Sequence, residues 1–426
     1  MFKNHPKGLA VIFFTEMWER FGFYTMMAVF TLYMDETLHM SDAVKGNIYG
    51  LFLAGVYFTP IFGGWIADQW LGHKDTLRLG ALVMAVGYAV LAFSGVGRML
   101  LFYFALVLIA AGNGLFKVNT SVLVGNLYPP GSPLKDVGYN IFYMGVNVGA
   151  FIAPLAATLL HHLFHSYNVS FGAASAGLVL AILIFELGKR AVLYADNVPR
   201  ISRTEEENLA VAANDPAEDR QRVFSLIILF LISIFFWAAF YQNGFALTLF
   251  AQRSTVKLSW LKPETYQAFD PLFILLLTPV IVGLFDFLRT RGKEPPTPAK
   301  IFLGMLVSGF SMLIMVAASK AGGDLDRNIM SPAWLIGTYF VVTVSELLVS
   351  PIGLSFVSKV SPARIRGLMM GFWFAATAIG SYASGLFGSF YGSMPHHQYF
   401  LLLAGMLFFA SFLVLLAMKP LKRFAG

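Results

Sequence analysis

The chain reads as an all-α polytopic membrane protein with twelve transmembrane helices in two six-helix bundles. Three observations predict this. Of its 426 residues, 57% are hydrophobic and only 12% are charged, where a soluble domain carries about 25%. Apolar segments of about 20–28 residues recur, each long enough to cross a hydrocarbon core of roughly 30 Å. A long polar stretch, Asp196 to Arg222, divides those segments six and six.

The expected spans are 8–34, 46–67, 77–96, 100–123, 138–160, 170–194, 223–250, 265–288, 299–319, 332–357, 366–391 and 398–418. The domains that follow are 1–194, a first six-helix bundle; 195–222, a linker; and 223–426, a second bundle. The first span follows basic residues, yet it is too long, too acidic at its centre and too poor in small cleavage-site residues for a signal peptide. It is expected to remain as a helix. Of 30 Lys and Arg, 21 fall on the side of the N-terminus, so both termini are predicted to be cytoplasmic. Orientation accounts for the +7 net charge, and no nucleic-acid partner is needed to explain it.

Charges inside spans carry the chemistry. A charged side chain at the bilayer centre costs about 2.5–3.5 kcal/mol, so it normally faces a bundle interior or a wet cavity. In the first span, Glu16, Glu19 and Arg20 are spaced to share one helix face, with Arg20 placed to pair with Glu16. One cation cannot neutralise two carboxylates. Either another helix supplies a second cation or one carboxyl holds a proton. Lys117, in Ala110-Ala111-Gly112-Asn113-Gly114-Leu115-Phe116-Lys117, is the expected second cation, as a proton-responsive switch or a static ion pair.

Asp270-Pro271 opens span eight, leaving Asp270 open between an interfacial cap and a pocket acid. Glu346 lies deep in span ten, with its nearest following base at Lys359. It could receive a substrate ammonium, and Pro351 breaks the backbone ladder one turn on. Three acids (Glu16, Glu19, Glu346) thus face two bases (Arg20, Lys117), and a transported proton or a substrate amine could supply the missing charge. Tyr24, Tyr57, Asn147, Trp237, Gln242 and Trp373 could line a polar cavity, although on spacing alone most would be ordinary packing residues. A weak internal echo compares Gly64, Asp68, Gly72 and Lys74 with Gly283, Asp286, Gly292 and Lys293. With 0 Cys and no phosphate-binding G-x-x-x-x-G-K-[ST], neither thiolate chemistry nor ATP drive is expected. No metal site, cofactor or enzyme activity is predicted.

Taken in order, several motifs make the chain resemble the proton-dependent oligopeptide transporter family of the major facilitator superfamily, nearly end to end. E-x-x-E-R-F appears as Glu16-Met17-Trp18-Glu19-Arg20-Phe21, followed by Tyr24. The loop Gly63-Gly64-Trp65-Ile66-Ala67-Asp68 to Leu71-Gly72 is similar to the superfamily gating motif. F-Y-x-x-I-N-x-G appears as Phe142-Tyr143-Met144-Gly145-Val146-Asn147-Val148-Gly149. Glu346, Ser350-Pro351-Ile352-Gly353-Leu354 and Met370-Gly371-Phe372-Trp373-Phe374 complete the set.

The resemblance implies a symporter of di- and tripeptides in a bacterial inner membrane, driven by the proton gradient without a cofactor. Its partners would be peptides, protons and the lipid bilayer. Glu16, Glu19, Arg20 and Lys117 would couple protons. Glu346 would take the peptide amino terminus, Tyr24, Tyr57, Asn147, Trp237 and Trp373 would shape the pocket, and Asp68 would belong to the gating loop. Gln242 and Asp270 are added as candidate substrate contacts, and Lys117 and Arg20 as sources of positive potential for the carboxylate. The chain departs from the family at Met27 and Tyr241, where many relatives carry an Arg and a Glu, and its short linker implies that the two extra helices of many bacterial members are absent. That departure motivates the alternative of another small zwitterion or an anion as cargo.

Overall fold

The structure, a computed structural model, describes residues 2–129, 132, 134–196, 216–362 and 365–423. Most of the expected linker, including Arg203 to Glu207 and Asp215, lies outside the described residues. The main helices are α1 (Lys7–Leu32), α2 (Asp42–Phe58, continued by Pro60–Ile66), α3 (Gly72–Ala92), α4 (Met99–Asn126), α5 (Leu134–Phe164) and α6 (Asn168–Gly188). They are followed by α7 (Pro216–Phe240), α8 (Phe269–Thr290), α9 (Thr297–Ala321), α10 (Pro332–Val360), α11 (Arg366–Gly388) and α12 (His396–Leu416). No strand occurs among the described residues, only an isolated bridge between Thr255 and Met330.

Nine stretches among the described residues are long and apolar enough to cross a membrane. One of them, Asp42–Ala92, is 51 residues long and turns at Gly72, whose φ of 75° suits a residue without a Cβ. It therefore makes two crossings, α2 and α3. Two further helices are of spanning length, α1 with 26 residues and α11 with 23, so the described residues provide twelve spans. Every membrane-length window of α1 contains Glu16, Glu19 and Arg20, which sets it apart from a simple apolar span. Gly292 follows α8 at φ 63°, so each half of the echo between Gly72 and Gly292 ends on a left-handed glycine.

Two spans differ in detail from the sequence expectation. The stretch 223–250 is not one helix: α7 gives way to a 3-10 turn, Tyr241–Gly244, and a short helix, Ala246–Arg253. Tyr49 explains the break, because a Cβ on Gly244 would meet its hydroxyl at 2.4 Å and that hydroxyl donates to the Tyr241 carbonyl at 2.9 Å. Conversely, α10 continues for 29 residues through Pro351. Proline removes one amide donor there without ending the helix.

The chain divides into two compact units, 1–41 with 51–200 and 259–272, and 42–50 with 201–258 and 273–426. Within the first, α1 packs on α5 and α6, and α3 on α4 and α6. Within the second, α7 packs on α11 and α12, and α9 on α10 and α12. Advancing the first set by six helices gives the second, so the halves repeat one packing scheme, as expected of a two-repeat transporter fold.

Equivalent glycines make equivalent contacts in that scheme. A Cβ on Gly149 of α5 would lie 2.2 Å from the Met17 carbonyl of α1, and one on Gly380 of α11 would lie 2.9 Å from the Ile234 carbonyl of α7. Helices in lipid gain little from hydrophobic exclusion and hold together by such close backbone approach. Gly149 thereby fixes the turn of α1 that carries Glu16, Glu19 and Arg20.

The second unit contains a part-buried ion cluster. The Arg253 guanidinium grips Asp42 with Nη1–Oδ2 and Nη2–Oδ1 distances of 3.1 and 3.0 Å, and the Lys45 ammonium reaches Asp42 Oδ1 at 2.7 Å. Lys45, one residue before the expected span 46–67, is fully buried. Two predictions follow from the packing. Gly149→Val should overpack the α1–α5 contact and cost about 1–3 kcal/mol, seen as a lower melting temperature in detergent; an unchanged melting curve would refute the close approach. Asp42→Asn should cost about 1–3 kcal/mol by removing the charge that two cations share. Lys45→Met, which removes the surplus cation, should cost less in the same denaturation measurement.

Candidate functional site

The charged turn of α1 is buried on all sides, with Glu16, Glu19 and Arg20 at 3%, 0% and 4% exposure. Arg20 Nε stands 3.1 Å from Glu16 Oε1 and 2.5 Å from Glu19 Oε2. One guanidinium therefore serves both carboxylates, as the spacing required. The pairing is ionic and poorly aligned for hydrogen bonding. Glu16 Oε2, Glu19 Oε2 and both Nε and Nη2 of Arg20 are buried without a properly directed hydrogen bond among the described residues. Buried polar atoms left in that state are costly. A proton added to one carboxyl would supply a donor and relieve the excess negative charge.

Lys117 occupies the position expected of the second cation but makes no ion pair among the described residues. Its ammonium sits over the Tyr57 ring, 4.5 Å from the centroid, a geometry in which the ring quadrupole attracts the cation. It remains within electrostatic range of Glu16, Glu19 and Arg20. Tyr24 and Tyr57 in turn lie within range of Arg20, and the guanidinium carbon is 5.5 Å from the Phe23 ring centroid. Lys117, Tyr24 and Tyr57 thus gather around the α1 turn. Asn147 is buried with its amide donating 2.9 Å to the Tyr143 carbonyl one turn back.

In the second unit, Trp237 and Tyr241 stack with centroids 5.6 Å apart and planes 23° apart. The Trp237 indole N–H is buried with no acceptor among the described residues. Trp373 is 3% exposed and fills the notch opposite Gly353, where a Cβ would meet the indole ring at 2.5 Å. Gln242 is fully buried. Its Nε2 donates to the Ser384 carbonyl at 2.8 Å and its Oε1 accepts from the Tyr399 hydroxyl at 2.8 Å, so its amide ties α11 and α12 to the end of α7. Glu346 is half-buried at mid-helix in α10. Asp270 lies in the first turn of α8, where a carboxylate complements the helix dipole. Met27 and Tyr241, in separate units, are both buried.

Asp68 is exposed at the end of α2, and its carboxylate is 3.7 Å from His73 Nε2. The adjoining start of α3 is held by Asp196, which accepts from the Lys74 backbone N–H at 2.9 Å.

Sequence reasoning missed several contributors. Asn113 of α4 is fully buried and donates to Glu19 Oε1 at 3.4 Å. Its signal was present, since it precedes Lys117 by four residues and so shares its helix face. His161 of α5 meets the fully buried Glu264 at 3.0 Å, beside a Thr158–Thr265 hydroxyl pair at 2.7 Å. His161 also stacks on Tyr167, whose hydroxyl donates to Glu36 at 2.8 Å. Those residues come from four places in the chain, with no local pattern to link them.

Comparison with known proteins places this geometry in a family. A family model described as "POT family" matches residues 74–208 and 194–401. The chain is 30% identical to the dipeptide and tripeptide permease A of Escherichia coli K12, over 90% of this chain and 85% of that protein. It is also 30% identical to the peptide transporter YePEPT of Yersinia enterocolitica, over 91% and 88%. Among solved structures, it superposes on a peptide transporter POT in complex with sulfate with a TM-score of 0.89 at 28% identity, covering 100% of this chain and 97% of the other. A POT family transporter in complex with 5-aminolevulinic acid gives a TM-score of 0.86 at 25% identity, covering 99% and 98%. The chain is a multi-pass membrane protein and belongs to the POT family of transporters.

Proposed function

We propose that the chain imports di- and tripeptides together with protons by alternating access, in a bacterial inner membrane with both termini cytoplasmic. The observation that carries this reading is the α1 turn: two buried carboxylates against one guanidinium, with polar atoms left for a proton to satisfy. The named activities of the permease and the Yersinia transporter support peptides as cargo. The proton gradient would be the energy source, with no cofactor and no chemical step of an enzyme.

Each residue then has a physical role. Protonation of Glu19 or Glu16 would release one carboxylate from Arg20 and lower the cost of moving the turn. Lys117, held over Tyr57, would supply positive potential for a peptide carboxylate, with Arg20 adding to it. Glu346 would receive the peptide ammonium, and Tyr24, Asn147, Trp237 and Trp373 would shape the cavity, the Trp237 N–H being available to a substrate acceptor. Gln242 would act on the cavity through the α11 and α12 groups that it binds, Asp270 through the start of α8, and Asp68 through the gating loop. A second reading, another small zwitterion as cargo, is favoured by the apolar Met27 and the phenol Tyr241 and by the ligand of the 5-aminolevulinic acid complex.

Uptake of a labelled dipeptide into liposomes holding the purified chain should exceed equilibrium only under an inward proton gradient. Equilibration without accumulation would discard coupling, and uptake of 5-aminolevulinic acid with no competition by dipeptides would select the second reading. Glu19→Gln should abolish gradient-driven accumulation while leaving exchange across equal pH intact; unchanged driven uptake would remove Glu19 from coupling. Glu346→Gln should raise the half-saturating dipeptide concentration roughly tenfold or more, because a charge-assisted contact worth about 1.5–3 kcal/mol is lost. An unchanged value would exclude Glu346 as the ammonium site.

A further inference from the structure

We infer that Asn113 is a positioning residue that reads the protonation state of Glu19, its side-chain amide serving the carboxylate through Nδ2 and the carboxylic acid through Oδ1. The inference rests on Glu19 taking the transported proton.

The geometry is asymmetric in an informative way. Asn113 is fully buried, its Nδ2 donates to Glu19 Oε1 at 3.4 Å, and its Oδ1 is buried with no donor among the described residues. In this arrangement only half of the amide is used, and it is the half that suits a charged acceptor. A protonated Glu19 carries an O–H and needs an acceptor. The unused oxygen on the same Cγ as the amide nitrogen is that acceptor, because a half-turn about Cβ–Cγ exchanges the two atoms at little steric cost. Arg20 and Lys117 cannot serve, since both are donors only, and Glu16, the other acceptor facing Glu19, is already paired with the Arg20 guanidinium at 3.1 Å.

The surroundings of Glu19 strengthen the assignment. Glu16 and Arg20 face it from α1 and Lys117 from α4, while Tyr88 of α3 lies within electrostatic range. The Tyr88 hydroxyl is also buried with no hydrogen-bond partner among the described residues. It is the other neutral group near Glu19 that could accept a proton's hydrogen bond. Asn113 differs in already touching the carboxylate. Close packing seats it there, because a Cβ on Gly112 would lie 2.7 Å from the Gly80 carbonyl and one on Gly114 would lie 2.6 Å from the Thr59 carbonyl carbon. The helix turn that presents Asn113 is thus pinned against α2 and α3, and only the amide is left to respond.

Proton uptake from water would place H⁺ on Glu19, breaking one ion contact with Arg20 and forming O–H···Oδ1 to Asn113. Release to the other side would return the proton and restore Nδ2–H···Oε1. The hydrogen bond to the charged form is the stronger of the two, so deleting the amide should penalise the carboxylate more than the acid.

The test uses the full chain in liposomes. Asn113→Leu should shift the external-pH profile of gradient-driven dipeptide uptake by about one pH unit to the alkaline side and lower accumulation several-fold. A wild-type profile in Asn113→Leu would overturn the inference. Should that variant fail to insert, acid-minus-base infrared spectra of Asn113→Ala decide the matter. The carboxylic C=O band that disappears in Glu19→Gln should move to higher frequency in Asn113→Ala, and an unmoved band would equally refute the role. A wild-type protein that accumulates nothing under a gradient would fail the symport reading itself, whereas the infrared band is read without transport and judges Asn113 alone.

Discussion

Two carboxylates sharing one guanidinium inside α1 is the constraint on which the first half of the structure depends. Burying Glu16, Glu19 and Arg20 in a lipid-spanning helix is tolerable only if other helices cover them completely. That coverage is what Gly145 and Gly149 of α5 and Gly177 of α6 provide. A Cβ on Gly145 would meet the Phe13 ring at 2.8 Å, and one on Gly177 the Phe21 ring at 2.9 Å, so α5 and α6 close directly on the charged face's helix. The glycines of the F-Y-x-x-I-N-x-G motif therefore serve the acids of the E-x-x-E-R-F motif. One motif makes the burial possible and the other gives it a purpose.

The second unit inverts that arrangement. Asp42 holds both Arg253 and Lys45, two cations on one carboxylate, where Arg20 holds two carboxylates on one cation. The consequences differ because the geometry differs. The Asp42 contacts are short and, for Arg253, bidentate, so the cluster is well satisfied and fixes the short helix Ala246–Arg253 to the start of α2. The α1 cluster leaves polar atoms unmet. Of the two, the poorly satisfied one is the cluster that an added proton would relieve.

Legibility in the sequence followed the range of the interaction. Twelve spans were readable because hydrophobic length is a local property. Glu16, Glu19 and Arg20 were readable as a unit because three and four residues make a helix face. The break in the seventh span was not, because it depends on Tyr49, nearly two hundred residues earlier, donating to the Tyr241 carbonyl. The direct partner of Lys117 was likewise hidden: charge counting pointed to the carboxylates, while the fold puts its ammonium over Tyr57. Gln242 read as a cavity amide, yet its hydrogen bonds go to Ser384 and Tyr399, partners that no helical period could suggest. Asn113 was the exception. Its four-residue spacing from Lys117 was visible, but a neutral amide among charged neighbours drew no attention by composition alone.

The replacement of an expected Arg and Glu by Met27 and Tyr241 gains its meaning from this contrast. Losing one member of a buried pair strands a charge and costs several kcal/mol, while losing both leaves a dry and stable contact surface. Met27 and Tyr241 are each buried, and Tyr241 is stacked on Trp237. Neither a thioether nor a phenol carries a charge near neutral pH, so neither Met27 nor Tyr241 can take part in an ion pair. In the proposed mechanism, proton sensitivity rests on residues that remain titratable and imperfectly satisfied, above all Glu19 with Arg20 on one side and Asn113 on the other. A chain that had shed its charged pair without keeping that cluster would lack the buried α1 carboxylates on which the proposed coupling rests.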